Sequence, residues 1–183
     1  LLKLDIDSKM ANKGEYRLKS GGGILTVGTS GSITGQGANV LIVDDPISNR
    51  EEADSIVYRN KLWDWFTDVA ETRLEPNGSI IIVMTRWHID DLAGRILKNK
   101  PDFEYIRLAA LADNGDGREL DEPLWKERYN FEHLNQIRTE SPLTFASLYQ
   151  GLPMPRNSRL IQDVTFYTEL PKEYKLFIGA DLA

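Results

Sequence analysis

Cysteine is absent from the 183 residues. Disulfides and thiolate metal sites are therefore excluded, and an intracellular compartment fits. No apolar run approaches the roughly 18–20 residues of a membrane-spanning helix. A basic excess is also missing: 22 Lys and Arg stand against 28 Asp and Glu, a net charge of −6. That balance argues against a uniformly basic module that coats nucleic acid, but it leaves room for a local basic track. No internal repeat or low-complexity tract occurs. No signal peptide is visible, and Leu1 stands where a Met would start a chain, so an internal piece of a longer protein is expected. The length suits one domain, or one domain plus a fragment of another.

The most informative stretch is Val40-Leu41-Ile42-Val43-Asp44-Asp45-Pro46. Four apolar residues in a row suit a central parallel strand buried on both faces. Carboxylates at the C-terminal end of such a strand lie where open α/β sheets bind ligands. Two adjacent acids there call for a cation, and Mg²⁺ takes oxygen ligands. Asp44 would meet the metal. Asp45 would orient or deprotonate a water for attack on a γ-phosphate, as in phosphoryl transfer. The same residues also make good turn chemistry, since Asp-Asp-Pro ends a strand readily.

Around this element the pattern alternates between strands and helices. Tyr16–Lys19 and Ile24–Val27 read as a hairpin turned by Ser20-Gly21-Gly22-Gly23. A glycine-rich loop, Gly28 to Ala38, follows. Ser48 and Glu51 have capping-box spacing, and helical periodicity runs through Ile56, Leu62, Trp63, Phe66 and Val69, with a break expected near Arg59-Asn60. Pro76-Asn77-Gly78 signals the end of that helix. Ser79–Met84 is a second apolar strand, ending in Thr85-Arg86-Trp87-His88. A helix is expected from about Ile89 to Leu97, and a third strand over Phe103–Leu108. This order predicts a mostly parallel α/β sheet. Short helices are expected over 131–138 and 143–149, then an extended exit through Leu152–Asn157.

Thr85 would lie beside the strand-end acids if the two apolar strands are neighbours. Its hydroxyl could bond the acids or the attacking water and report phosphate state. Arg86 could contact phosphate, or it could pair with Asp90 or Asp91. Those two acids fit a helix N-terminus, where carboxylates complement the dipole. A rival constellation gathers Asp44, Asp45, His88, Asp90 and Asp91 into a metal-hydrolase site. Gly23 to Ser30 has the glycine spacing of a phosphate-binding P-loop, but Thr29 stands where Lys is required and no helix follows at once. No G-x-x-x-x-G-K-[ST] occurs elsewhere in the chain.

With these pieces in order, the chain resembles the large terminase subunit of tailed bacteriophages, the DNA-packaging motor. The matching residues are Ile33–Ala38 leading into Leu41–Pro46, then Trp63 to Pro76, then Ile80–His88 with Asp90–Arg95. Leu124-Trp125 and Phe145–Pro153 follow. The likeness covers nearly everything from about Gly21. It implies a P-loop NTPase-like sheet of the additional-strand type that lacks its Walker A segment here, and a ribonuclease-H-like nuclease starting at the C-terminus. The implied parts are an ATPase core over 1–110, a small helical subdomain over 111–155, a linker over 156–175 and the nuclease start over 176–183.

By resemblance, Asp44 is the Walker B metal carboxylate, and Asp45 stands where many members have a catalytic Glu. Thr85 falls in the coupling motif, and Asp181 is the first nuclease metal ligand. ATP and Mg²⁺ are the implied cofactors, with Mg²⁺ or Mn²⁺ for the nuclease. Double-stranded DNA, a portal protein, a small terminase subunit and copies of the chain in a ring are the implied partners, in the host cytoplasm. This piece alone is expected to hydrolyse ATP negligibly. Another P-loop motor such as a helicase, and a non-enzymatic binding module, are the alternatives.

Overall fold

The computed structural model describes residues 5–7, 14–29, 31, 33, 35, 37–114 and 116–155. The expected linker (156–175), the expected nuclease start (176–183) and Asp181 lie outside the described residues.

Strands β1 (Glu15–Arg17) and β2 (Gly23–Leu25) pair antiparallel, with Tyr16 opposite Ile24. Gly21 and Gly22 turn the hairpin at φ +91° and +81°, values that side-chain-bearing residues rarely adopt. Strands β3 (Ala38–Asp44) and β4 (Leu74–Val83) pair parallel, from Val40 opposite Ser79 to Asp44 opposite Val83. The described residues thus form a mixed α/β structure with one small parallel sheet and one hairpin. That is a smaller sheet than the mostly parallel one expected from the sequence.

Three local expectations shift. Helix α1 (Arg50–Asp54) is capped by Asn49, whose side chain accepts from the Glu52 N–H, while Glu52 accepts from the Ser48 N–H. The cap thus lies one residue later than Ser48, at Asn49, a residue type as suited to the position as Ser. The break before helix α2 (Ile56–Asp64) falls at Ser55, not near Arg59-Asn60. Ser55 leaves helical geometry and its hydroxyl accepts from the Tyr58 N–H, so one residue ends α1 and caps α2. A π-helical turn, Trp65–Ala70, and a 3₁₀ turn, Glu71–Arg73, then lead straight into β4. Pro76-Asn77-Gly78 does not separate helix from strand. It bulges within β4, where Leu74 still pairs with Ala38 and Asn77 sits at φ +65°.

The expected third strand is absent. Residues 104–109 run without a ladder partner, and Ile106 and Leu108 are 74% and 70% exposed. Apolar content gives strand propensity, but a strand exists only by pairing, and no described strand lies alongside. Helix α3 (Leu92–Asn99) begins three residues later than expected, at the Asp91 cap.

Among the described residues the parallel sheet is covered on one face only. Val43 is buried, and Leu41, Ile80 and Ile82 pack with it against Leu62, Phe66, Leu92 and Ile96. The alternate positions Val40, Ile42, Ile81 and Val83 are 48–62% exposed. The expectation of burial on both faces is therefore not met among the described residues, since the helices lie on one side. A second, separate cluster joins Leu111 to Leu134 of helix α4 (Phe131–Glu140) and to Phe145, which follows helix α5 (Pro142–Thr144). There the Gln150 side chain accepts from the Leu111 N–H and donates to the Leu111 carbonyl, both at 2.9 Å, as a neighbouring strand would.

Candidate functional site at the end of the parallel pair

The two apolar strands end together. Asp44 is the last residue of β3, opposite Val83, and it is exposed on the open side of the sheet by strand alternation. No side-chain or backbone donor among the described residues reaches its carboxylate. Asp45 follows at φ +38°, a region that Asp tolerates better than most residues. Its N–H donates to the Val83 carbonyl at 2.9 Å, which extends the ladder by one bond. The turn swings its carboxylate across to the end of β4. There Asp45 Oδ1 accepts from the Thr85 N–H at 3.0 Å and lies 3.4 Å from the Thr85 hydroxyl. The two adjacent acids are thus separated in direction: Asp44 is open to solvent, and Asp45 is held against Thr85.

Arg86 turns the other way. It is 8% exposed, and its Nε donates to both Asp91 oxygens, at 2.9 and 3.0 Å. Asp91 is fully buried and also accepts from the N–H groups of Gly94 and His88, as the N-cap of α3. A side chain at Gly94 would run into the Ile89 carbonyl, so glycine lets this turn close. Of the two placements open to Arg86 in the sequence, the ion pair is the one formed here.

The rival constellation is not assembled. Asp90 takes two bonds from Arg95, at 3.0 and 2.7 Å, and one from Arg59. Those Arg95 bonds hold the Asp90 carboxyl below its ordinary range. His88 Nδ1 accepts from the Asp90 N–H at 2.9 Å, and burial together with the nearby Arg59 charge lowers its pKa. Among the described residues no three His, Asp or Glu side chains converge as metal ligands.

Several supports had no signal in sequence spacing. The Arg50 guanidinium bonds the Trp87 carbonyl at 2.7 Å and lies 5.1 Å from the Trp87 ring centre, tying α1 to the segment after β4. The Tyr58 hydroxyl donates to the Pro46 carbonyl at 3.1 Å, immediately after the acids. Burial, and then the Glu52 charge, raise the Tyr58 pKa. A pocket of about 150 Å³ beside it is lined by Thr29, Tyr58, Lys61, Leu62 and Trp65, which brings the glycine-rich loop against α2. No family model matches this chain, and neither does any curated protein.

Of the two acids, Asp44 alone is placed to meet a hard cation. Asp44 offers oxygens that no described protein donor occupies, and Mg²⁺ commonly takes one or two carboxylates, with water and substrate phosphates completing the shell.

Proposed function

We propose that this chain is part of the ATPase of a DNA-packaging terminase large subunit. The observation that carries the reading is the Asp45–Thr85 contact, which joins the strand-end acids to the strand end beside them. In this role Asp44 would hold the Mg²⁺ that neutralises the nucleotide's phosphates. Asp45 orients the attacking water and takes its proton. Thr85, bonded to Asp45, passes the state of the site into the Arg86–Asp91 turn and α3. Arg86, buried on Asp91, braces that turn.

The open sheet face is a second support. Parallel sheets are ordinarily covered on both sides by helices, and the helix that follows a P-loop, a motif lacking in these residues, would belong to such a covering layer in the proposed motor. Hydrolysis would drive double-stranded DNA into a prohead through a portal, with a small subunit and a ring of copies as partners. Asp181 would open the nuclease of the same protein.

The reading is tested on the protein made from the whole reading frame. Asp45→Asn is expected to lower ATP turnover by about 10²–10⁴-fold, the usual contribution of a positioned base. Asp44→Ala is expected to raise the Mg²⁺ concentration needed for half-maximal rate. Unchanged turnover in both variants would sink the proposal.

A further inference from the structure

Asp45 stands at φ +38° directly before Pro46. The residue preceding a proline is ordinarily confined to extended geometry with negative φ, because the proline ring crowds its backbone and Cβ. A non-glycine residue in so sparsely populated a region persists only where its surroundings over-determine it, and such positions cluster at functional sites. What holds this turn therefore bears on what Asp45 does.

The strands and the turn itself supply part of the hold. The Asp45 N–H donates to the Val83 carbonyl at 2.9 Å, and Asp45 Oδ1 accepts from the Thr85 N–H at 3.0 Å. Pro46 and Ile47 are buried, although the two acids before them are exposed. A further hold crosses from the helical layer: the Tyr58 hydroxyl donates to the Pro46 carbonyl at 3.1 Å. Tyr58 is itself fixed. Ser55 Oγ accepts its N–H in the first turn of α2, and its side chain packs against the cluster that contains Val43, Ile47 and Leu62. Burial, and then the Glu52 charge, raise its pKa, so the hydroxyl keeps its proton and stays a donor.

The next part of the segment is held from the same side, where Glu52 accepts from the Ser48 N–H at 2.8 Å. The helices therefore grip the chain just after the acids, at a carbonyl and at an N–H. Within Tyr58 the two contributions separate cleanly: phenylalanine would keep the packing of the ring and lose the bond to Pro46.

We infer that Tyr58 is a positioning residue: by holding the Pro46 carbonyl, its hydroxyl fixes the turn that directs the Asp45 carboxylate to Thr85. The inference rests on the ATPase reading for the chemistry that Asp45 performs, whereas the placement stands on the hydrogen bonds alone. In this role Tyr58 touches neither nucleotide nor metal. A reacting group displaced by about 1 Å can lose about a hundredfold in rate, and a loosened turn acts on that scale.

The test compares Tyr58→Phe, Asp45→Asn and the double variant in the product of the whole reading frame. Tyr58→Phe is expected to lower kcat by about ten- to a hundredfold. KM for ATP and the Mg²⁺ concentration for half-maximal rate should stay at the parent values, because Asp44 belongs to β3 and not to the turn. In the double variant Tyr58→Phe should remove nothing beyond the loss from Asp45→Asn, since both act through one group. In the 183-residue chain, without ATP, Tyr58→Phe should speed hydrogen exchange of the Thr85 amide by about fivefold. The Gly94 amide, bonded to Asp91, should keep its parent rate. Tyr58→Phe at the parent kcat beside a slow Asp45→Asn overturns the role of Tyr58 and leaves the ATPase reading standing. Losses that multiply in the double variant, or unchanged exchange at Thr85, also overturn that role. So does a Tyr58→Phe chain that fails to fold, since the retained ring should suffice for packing. Asp45→Asn at the parent rate overturns the ATPase reading and this role together.

Discussion

Thr85 N–H donates to Asp45 Oδ1 at 3.0 Å across 40 residues of sequence. This bond is made where β3 and β4 end side by side, and it leaves Asp44 facing solvent. The contact has a chemical consequence at its hydroxyl. The Thr85 Oγ1–Asp45 distance of 3.4 Å is at the long end for a hydrogen bond, so a modest arrangement change would make or lose it. Thr85→Val removes the hydroxyl and keeps the backbone bond. In the whole motor it is expected to lower ATP turnover by about tenfold, the low end for a bond to a charged group. Thr85→Ser is expected to stay near the parent rate. Steady-state ATP hydrolysis checks both, and a Thr85→Val enzyme at full rate would remove Thr85 from the mechanism.

The 183-residue chain by itself is expected to show no ATP turnover above a buffer control, because none of its described residues cradles the β- and γ-phosphates. A phosphate-release assay with Mg²⁺ and ATP measures this. Turnover that Asp44→Ala abolishes would contradict it.

The Arg86–Asp91 pair is 8% and 0% exposed, so removing one partner strands the other as a buried charge. Arg86→Ala is expected to cost about 3–5 kcal/mol of stability. Arg86→Ala combined with Asp91→Asn should cost less than the two separate losses added together, since the pair then disappears as a unit. Urea unfolding of the four proteins gives the cycle, and a loss under about 1 kcal/mol for Arg86→Ala alone would show that the pair is not holding this turn.

His88 gives a pH dependence whose sign follows from its depressed pKa. The unfolded chain titrates His88 near its ordinary 6.5. Above that value both states are neutral and the contribution is fully present. As pH falls from 6.5 through the folded value, the unfolded state takes the proton first, and the contribution is lost. The urea midpoint should therefore fall on acidification in this window, and His88→Gln should flatten that part of the curve. A parent and variant with parallel curves between neutral pH and pH 5 would show that His88 does not carry the effect.

The sheet's open face separates two states of the protein. Ile42 is 62% exposed here, whereas Leu62 is 4% exposed. Ile42→Ala should change the stability of the 183-residue chain by no more than about 0.5 kcal/mol, whereas Leu62→Ala should cost about 2–5 kcal/mol. In the product of the whole reading frame, with the face covered, Ile42→Ala should join the costly class. If Ile42→Ala is equally mild in both proteins, this face is a true surface and the motor reading loses its second support.

The apolar runs Val40–Val43 and Ser79–Met84 made the parallel pair legible, because short length, flanking turn residues and β-branched content favour a strand over a helix. The hairpin around Ser20–Gly23 was legible for its turn chemistry, and Asp90 and Asp91 were legible as acids at a helix N-terminus, although the helix begins only after Asp91. Other features depend on partners far along the chain. Phe103–Leu108 has strand composition, but strand pairing is not written in the segment itself. Ser55, not Arg59, breaks the helix because one hydroxyl reaches the Tyr58 N–H, a choice that helical periodicity does not register. The bulge at Pro76–Gly78 looked like a terminus because turn residues have the same chemistry inside a strand as at its end. At the site, the nearness of Thr85 to the acids followed from strand adjacency. The direction in which Asp45 turns depends on its left-handed backbone, and the supports from Arg50 and Tyr58 join residues with no shared spacing.

The most direct test of the motor reading is the nucleotide sequence immediately upstream of the Leu1 codon. The account predicts an open frame in which an apolar strand leads into G-x-x-x-x-G-K-[ST] and then a helix. A start codon close to Leu1, with no such motif before it, would contradict the ATPase assignment and leave Asp44, Asp45 and Thr85 as the polar end of a binding module.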